Sequence, residues 1–580
     1  MQEIENPMLK LRPPGIITIT IVALLLRLVL ASWAGLATDE ANGVMIAVSG
    51  DWSDMLLHLK NDGNAPLFYA LVKLLDHELG HGDRVVKALA VLLGTITVPF
   101  TYVIFRSILP RPVCLQLAWI LAFCPALIRY GTLVRPYALV SMISLASSYF
   151  CIKILTKDSS RYWILPYGLT TALIVYTHYW GAFIAIGQAG LAVVGSVRRW
   201  FGKNEIINWL LGVALALLLF APQLPTLLYQ LQHDMSPWDT VRRPLALIPS
   251  FLPGIILDIG ARTTFIDQLS TLFTNLLLVT AFAFTARYIY ETTWKPKGEA
   301  EAEAENKYNL LTQNIVEVET AEKAETIEEF DSRKWKTLAI TGLCACFLVN
   351  FILPSMRFRY ILPFIPIILI IYLTAADMML AQRRKIIRYV LPVIPWILLA
   401  LPQLEVLAIM PETNTGEIVD IIARDADSKK DLVVISWQII APAINYYLPR
   451  DIESVSFPDL RRSDFNHWPE MQDRVKDSKR LEALFEKMKQ TVDEGGRIWL
   501  IERARDLTVH KDPEKRLKED IAFEETFTLR MDQIHSWLKE NAEQRGEIRM
   551  APGRDFPIFL TTFVKSNSGI KPELRPQPAP

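Results

Sequence analysis

Two adjacent carboxylates, Asp39 and Glu40, follow directly after the first apolar run of the sequence, in the segment 37–42 (ATDEAN). A carboxylate held where water is partly excluded loses solvation of its charged form and becomes a stronger base. Such a group can accept the proton of a hydroxyl that attacks an electrophile. The pair therefore indicates general-base chemistry at a membrane edge. The alternative is that the two charges only mark the end of a membrane helix.

Two pairs of arginines lie at the ends of other apolar runs, Arg129 with Arg135 and Arg357 with Arg359. Lys and Arg are usually enriched on the cytoplasmic side of a membrane, whereas these arginines lie on the predicted outer side, so their position needs an explanation. Guanidinium groups bind phosphate oxygens through two parallel hydrogen bonds, and the tyrosines interleaved with these arginines add donors. The pairs predict a site for a lipid-linked phosphate, with contact to lipid headgroups as the alternative.

The string from His77 to His81 (HELGH) has the H-E-x-x-H spacing. On a helix this spacing places two imidazoles on one face for zinc, with Glu78 as the general base of an intramembrane metalloprotease. Against this, Gly82 follows where the helix would have to continue, and no acidic third ligand is evident downstream. The protease stays as the alternative function. We predict no metal or other cofactor, since a divalent ion is chemically possible but no ligand set supports it.

Long apolar runs must position these groups. Of the 580 residues 51% are hydrophobic and the mean hydropathy is +0.24, which is too apolar for a soluble chain of this size. The sequence predicts about eleven transmembrane helices. They lie near residues 15–36, 86–105, 113–128, 138–155, 162–177, 180–197, 206–225, 269–290, 337–353, 360–379 and 389–408. The five cysteines fall in apolar stretches without the spacing of a disulfide or zinc framework.

The basic residues of the short loops set the orientation. They fall on alternate crossings, and that side is cytoplasmic by the positive-inside rule. We predict a cytoplasmic N-terminal tail at 1–15 and a transmembrane domain at 16–410, whose first external loop spans 37–85. The acidic segment 291–336, poor in aromatics, is predicted as a disordered cytoplasmic loop. This orientation places residues 411–580 on the extracytoplasmic side of the membrane.

The pattern changes to that of a soluble α/β domain after residue 411. Lys plus Arg equals Asp plus Glu at 61 each, so the net charge indicates no nucleic-acid partner. No P-loop or G-x-G-x-x-G string supports a nucleotide-dependent function. The predicted fold class is an α-helical polytopic membrane protein with a C-terminal extracytoplasmic α/β domain. Its predicted strands are 431–436, 497–502 and 556–564, and its predicted helix is 477–492.

The order of these features resembles the membrane-embedded glycosyltransferases of the GT-C superfamily, specifically the protein O-mannosyltransferase and lipid A aminoarabinose transferase group (glycosyltransferase family 39). The resemblance covers residues 16–410 and rests on the order and sidedness of several motifs. Asp39 and Glu40 match the acidic motif that opens the family's first external loop. Further matches are 64–69 (NAPLFY) to an H-P-P-L-Y-Y segment, 82–89 to the loop into helix two, 135–137 (RPY) to R-x-Y, 177–179 (THY) to an H-Y turn, and 359–363 (RYILP) to R-Y-L-x-P.

The resemblance implies transfer of a sugar from a polyprenyl-phosphate carrier to an acceptor hydroxyl on the outer face, with inversion and without a nucleotide sugar. Asp39 takes the role of general base by match to the family's catalytic aspartate, and Glu40 orients the substrate or Asp39. The residues implied for the donor phosphate are Arg135, Tyr137, Arg359, Tyr360 and His178.

The first loop departs from the family pattern. Asn64 and Ala65 stand where relatives often have His-Pro, so the sugar stays open, and the acceptor is a lipid, a glycan or a protein. Asp62 and Asn64 are our candidate acceptor contacts. For the C-terminal domain a structural role is favoured over holding the acceptor. The predicted location is the plasma (inner) membrane, with an endoplasmic reticulum membrane as the alternative.

Overall fold

The structure is a computed structural model of the chain. It describes residues 15–31, 35–80, 82–107, 109–156, 161–233, 365–379, 385–394, 396–397, 400–401, 404, 413–469, 471–503, 523–549 and 558–565.

Helices follow one another through the N-terminal half of the chain. In order they are α1 (Ile16–Leu30), α2 (Thr38–Val48), α3 (Trp52–Asp62), α4 (Leu67–Leu79), α5 (Asp83–Phe105), α6 (Arg111–Phe123), α7 (Pro125–Thr132), α8 (Tyr137–Leu155), α9 (Ile164–Thr177), α10 (Ala182–Val197), α11 (Lys203–Phe220) and α12 (Leu224–Gln232). Further along lie α13 (Ile365–Met379) and α14 (Lys385–Val390). Helices thus occupy the predicted apolar runs near 86–105, 113–128, 138–155, 162–177, 180–197 and 206–225.

Several of these helices can cross a membrane. Within the described residues, four stretches are long and apolar enough: α5, α8, Tyr179–Val197 and Lys203–Gln232. The bent pair α6 and α7 forms a fifth candidate, and α1 is apolar but shorter. Large apolar side chains such as Leu217 and Leu218 of α11 are exposed, as expected where lipid is the solvent. The chain is a multi-pass membrane protein, and the runs predicted at 269–290 and 337–353 lie outside the described residues.

A 61° bend separates α6 from α7. Pro125 lacks the N–H that would bond to the carbonyl of Leu121 four residues earlier, so this carbonyl has no helical partner. The guanidinium of Arg27 in α1 fills that role, since its Nη2 donates to the Leu121 carbonyl at 3.3 Å. Gly94 of α5 leaves room for the backbone of α7, because a Cβ on it would lie 2.7 Å from the carbonyl oxygen of Gly131.

The first external loop contains three helices, α2, α3 and α4. Asp51 caps α3 by accepting hydrogen bonds from the N–H groups of Ser53 and Asp54. Gly63 ends the same helix in the left-handed region with φ 79°, which favours glycine. These helices have 11, 11 and 13 residues, so they are shorter than the apolar runs by which membrane helices are recognised.

The C-terminal domain contains a mixed sheet. In the described residues its strands are β1 (Leu432–Ile435), β2 (Glu453–Ser456), β3 (Ile498–Arg503), β4 (Glu543–Arg549) and β5 (Ile558–Val564), in the order β2-β1-β3-β5-β4. β1 pairs in parallel with β2 and β3, whereas β5 is antiparallel to β3 and β4. The helices are α15 (Thr415–Asp425), α16 (Ala441–Tyr447), α17 (Met471–Lys476), α18 (Ser478–Asp493) and α19 (Phe523–Asn541). Ile418, Leu484 and Ile534 bury three of them in the core that includes the strands.

The C-terminal domain packs directly on the membrane helices. The Tyr447 hydroxyl in α16 accepts a hydrogen bond from the Leu36 N–H at 2.7 Å and donates to Oδ2 of Asp83 at 3.1 Å. Gly35 admits the tyrosine, since a Cβ there would lie 3.2 Å from the hydroxyl oxygen. The ring of Phe465 lies 3.9 Å, centroid to centroid, from that of His58 in α3. The C-terminal domain therefore packs against the first external loop.

Candidate active site

Asp39 lies in the first turn of α2, where unpaired backbone N–H groups favour a negative charge. Among residues 35–47, all of which the structure describes, Asp39 alone has an exposed side chain. Its neighbours in sequence are buried against other elements. Packing therefore fixes the backbone around a carboxylate that a substrate can reach.

Glu40, the second carboxylate, is almost fully buried. Its Oε2 accepts a hydrogen bond from the Ala37 N–H at 2.8 Å, and its Oε1 accepts one from the Val134 N–H at 2.6 Å. Lys87 of α5 completes the arrangement, with its Nζ 3.5 Å from Oε2, and the two charged side chains are 1% and 2% exposed. Glu40 thus joins α2 to α5 and to the turn before α8. Of the two roles expected for it, this geometry favours orienting Asp39 over contacting substrate.

Arg135 lies in the turn between α7 and α8 and is half-buried. Its Nη1 donates a hydrogen bond to the backbone carbonyl of Asp39 at 3.2 Å. Two residues on, the ring of Tyr137 lies 5.3 Å from that of Tyr130 and 5.9 Å from the imidazole of His178. The structure therefore brings Asp39, Arg135, Tyr137 and His178, which come from three parts of the sequence, into one region of the fold.

Asp62 ends α3 with 7% of its side chain exposed. Its Oδ1 accepts hydrogen bonds from Nδ2 of Asn42 and Nε1 of Trp468, both at 2.9 Å, and its Oδ2 accepts one from Nδ2 of Asn64. Burial raises the pKa of Asp62 to about 6, although the charge of Arg135 and the three donors oppose the increase. The two predicted acceptor residues, Asp62 and Asn64, thus contact each other, and Asp62 also contacts Trp468 of the C-terminal domain.

Tyr69 of α4 lies between these groups and is 1% exposed. Gly43 makes room for it, since a Cβ there would lie 2.7 Å from Cε1 of the ring. No described residue offers its hydroxyl a hydrogen-bond partner. Burial raises the pKa of Tyr69 and the charge of Arg135 opposes this increase. Electrostatic interactions with Asp62, Tyr137 and Asp39 also raise the pKa of this hydroxyl, so these groups influence one another's ionisation.

The H-E-x-x-H string lies elsewhere. α4 ends at Leu79, and Gly80 leaves the helical conformation with φ 83°, so the helix that would align the imidazoles stops within the string. The side chains of His77 and Glu78 are 82% and 72% exposed, and His81 lies outside the described residues. In the part of the chain that the structure describes, no three His, Cys, Asp or Glu side chains are grouped as a metal site requires. Arg359 and Tyr360, predicted for the donor phosphate, also lie outside the described residues.

Four residues of this arrangement were not predicted as site residues from the sequence: Lys87, Asn42, Tyr69 and Trp468. Lys87 carried a usable signal, because a cation inside an apolar helix needs a buried partner. Trp468 carried none, since it lies 406 positions from Asp62 in the chain.

Comparison with known proteins supports the fold and the family. Residues 64–225 match the family model described as dolichyl-phosphate-mannose-protein mannosyltransferase. No protein of curated function matches the sequence. ArnT from Cupriavidus metallidurans bound to undecaprenyl phosphate is similar in structure, with a TM-score of 0.54 and 11% identity over 94% of this chain and 97% of that chain. Its apo state matches with a TM-score of 0.53 and 10% identity over the same shares.

A third similar structure is the archaeal oligosaccharyltransferase AglB from Archaeoglobus fulgidus, with a TM-score of 0.46 and 12% identity over 96% of this chain and 74% of that chain. The family match and the ArnT-like fold confirm the resemblance to GT-C glycosyltransferases that the motifs indicated. The family match agrees with the predicted enzyme class, a membrane glycosyltransferase with a lipid-phosphate sugar donor.

Proposed function

We propose that this chain transfers a sugar from a polyprenyl phosphate to an acceptor hydroxyl at the outer face of the membrane, with inversion of the anomeric carbon. The observation that carries the proposal is the exposed carboxylate of Asp39 next to Arg135, whose guanidinium donates to the Asp39 carbonyl at 3.2 Å. The residue that supplies the exposed carboxylate is thus also bound through its backbone by a cation, and displacement of a phosphate from the anomeric carbon uses both a base and a cation.

In this mechanism Asp39 accepts the proton of the acceptor hydroxyl. The acceptor oxygen forms a bond to the anomeric carbon while the bond from that carbon to the phosphate oxygen breaks. The departing polyprenyl phosphate takes the electron pair of that bond and gains negative charge. Since attack and departure occur on opposite faces, the anomeric configuration inverts.

Arg135 stabilises the charge that develops on the leaving phosphate, because a guanidinium holds two phosphate oxygens at once. Tyr137 and His178 lie 5.9 Å apart, ring centre to ring centre, and supply further polar groups on the same side. Arg359 and Tyr360 complete the phosphate site by their match to the family motif. Glu40 acts indirectly, since its bonds to Val134 and Lys87 hold the turn that carries Arg135.

The lipid carrier and the orientation belong to the same proposal. The ArnT chain of similar fold was crystallised with undecaprenyl phosphate, which supports a polyprenyl phosphate as donor. The charge asymmetry of the loops supports a cytoplasmic tail at 1–15 and an external C-terminal domain at 411–580 in a plasma membrane. The domain limits 16–410 and 411–580 suit the change from membrane helices to the mixed sheet.

Transfer assays with purified full-length protein and labelled polyprenyl-phosphate sugars test the proposal. We expect wild type to consume at least one donor, Asp39→Asn to lose transfer while keeping its melting temperature, and Glu78→Ala to match wild type. Glu78 is the matched control because its carboxylate is exposed but belongs to the H-E-x-x-H string. Full activity of Asp39→Asn would refute the base. A Glu78→Ala protein that loses cleavage of a membrane peptide, with no donor consumed by wild type, would favour the protease.

A further inference from the structure

The segment around residue 466 of the C-terminal domain contacts the polar residues of the first external loop. Nε1 of Trp468 donates to Oδ1 of Asp62 at 2.9 Å. The N–H of Asn466 donates to Oδ1 of Asn42 at 2.7 Å, and Nδ2 of Asn42 donates to the same Asp62 oxygen. One carboxylate oxygen therefore joins α2, α3 and the sheet domain.

The donors on Asp62 are all neutral. They orient the carboxylate and stabilise its charged form, but they do not cancel its charge. The cation that acts on it electrostatically is Arg135 of the turn before α8. Because Asp62 is buried, this attraction is screened less than it would be in water. Arg135 thus favours the charged form of Asp62, and this carboxylate accepts the hydrogen bond from Asn42 of α2, the helix that carries Asp39.

We propose that the C-terminal domain is a working part of the active site, in which Trp468 is a positioning residue that orients Asp62 and, through Asn42, holds α2 and its exposed Asp39 in place. The role of Asp39 rests on the proposed function, whereas the link from Trp468 to α2 does not. This role goes beyond the structural one that the sequence favoured for the domain.

Other groups around Asp62 leave the argument unchanged. Tyr69 of α4 is the other ionisable group within electrostatic reach, and burial keeps its hydroxyl neutral at ordinary pH. Asn42 and Asn64 carry no charge. His467, next to Trp468, interacts with His58 of α3 and is not among the causes of the raised pKa of Asp62. Trp468 is thus the donor by which the C-terminal domain acts on this carboxylate.

The test compares Trp468→Phe with Trp499→Phe. Both tryptophans are buried, and Nε1 of Trp499 donates at 3.0 Å to another buried carboxylate, Asp431, within the sheet domain. Each substitution keeps an aromatic ring and removes one N–H donor to an aspartate. The second is therefore a matched control that leaves the first loop untouched.

Losing a hydrogen bond to the charged form raises the pKa of Asp62 from about 6 by about one unit. If transfer needs charged Asp62, the acid limb of the kcat/KM profile of Trp468→Phe moves up by about one pH unit. Activity relative to wild type then falls about twofold at pH 7 and about fivefold at pH 6, and recovers above pH 8. We expect Trp499→Phe to keep the wild-type profile. Equal profiles for Trp468→Phe and wild type, or equal shifts in both variants, would overturn the proposal.

Hydrogen–deuterium exchange separates this link from the proposed function. We expect Trp468→Phe, but not Trp499→Phe, to speed exchange in the peptide that spans residues 38–48, because α2 loses a restraint on Asn42. If wild type consumes no donor and this difference is present, the proposed function fails and the link stands. If exchange in that peptide is the same in both variants, the link fails whatever the donor assay gives.

Discussion

The bend between α6 and α7 should depend on a bond between Arg27 and a carbonyl that proline leaves unpaired. Nη2 of Arg27 donates to the Leu121 carbonyl at 3.3 Å and its Nη1 to that of Ala23 at 3.2 Å, and the side chain is 1% exposed. Substituting Arg27→Met removes these donors and keeps an apolar chain of similar length. Substituting Pro125→Ala instead returns an N–H that can bond to Leu121 within the helix.

The expected magnitude follows from what each change leaves unpaired. An unpaired carbonyl in a membrane costs several kcal/mol at most, and measured bonds between membrane helices contribute about 0.6–2 kcal/mol. Removing a buried charge returns part of its desolvation cost. We therefore expect Arg27→Met to lower the free energy of unfolding by about 1–2 kcal/mol. In the Pro125→Ala background the loss should be smaller by about 1 kcal/mol, because the carbonyl has another donor.

Unfolding of the four proteins of this double-mutant cycle in mixed detergent micelles measures the coupling. Arg27→Lys is a useful fifth variant, since its ammonium keeps the charge but lacks the planar fork that reaches two carbonyls. We expect it to be weaker than wild type and stronger than Arg27→Met. Strictly additive losses for Arg27→Met and Pro125→Ala would refute the reasoning, because the two changes would then not act on the same carbonyl.

Three further predictions concern the site. Lys87→Met should destabilise the protein by about 3–5 kcal/mol, because it leaves the buried charge of Glu40 without its cation. Thermal melting of Lys87→Met and of the double variant with Glu40→Gln checks this. A double variant that is no more stable than Lys87→Met would contradict it. Gly43→Ala should cost about 1–3 kcal/mol by forcing the ring of Tyr69 away, whereas Gly190→Ala, which meets nothing within 4 Å, should be close to neutral in the same melts. The pKa of Asp62 is raised from 3.8 to about 6 in the folded protein, so its contribution to stability is complete below pH 4 and is lost as the pH rises through 6. Melting temperatures measured from pH 4 to 7 should show this loss in wild type and not in Asp62→Asn. The same dependence of melting temperature on pH in both proteins would count against it.

The membrane helices could be predicted from the sequence because lipid imposes a simple rule on it. A spanning segment must be apolar over most of its length, and α5, α8 and α11 satisfy this directly. The helices of the first loop follow no such rule. In the C-terminal domain, β1, β3, β5 and α18 were predicted within two residues of their ends because they are apolar or periodic. β2 (ESVS) and β4 (EQRGEIR) were not predicted, since their pairing comes from neighbouring strands and not from their composition.

The candidate site was predictable only in part, for a related reason. Asp39, Arg135 and His178 each stood out because polar groups at the ends of apolar helices need an explanation. Their proximity depends on long-range packing, as the contact between Arg135 and Asp39 across 96 positions illustrates. The different roles of the two adjacent carboxylates also required the structure: Asp39 is exposed, whereas Glu40 is bonded to Ala37, Val134 and Lys87.

Asp62 shows how stability and function oppose each other at this site. A raised pKa means that the fold prefers the neutral acid, so ionising Asp62 near pH 7 lowers the stability of the protein. A neutral residue in its place would remove that cost. It would also weaken the hydrogen bond that Asp62 accepts from Asn42 of α2, the helix that carries Asp39. Because Trp468 stabilises the charged form, the C-terminal domain reduces the cost of keeping the charge. We therefore expect Asp62→Asn to be more stable than wild type at pH 7 and slower in transfer, a combination that a purely structural aspartate would not give.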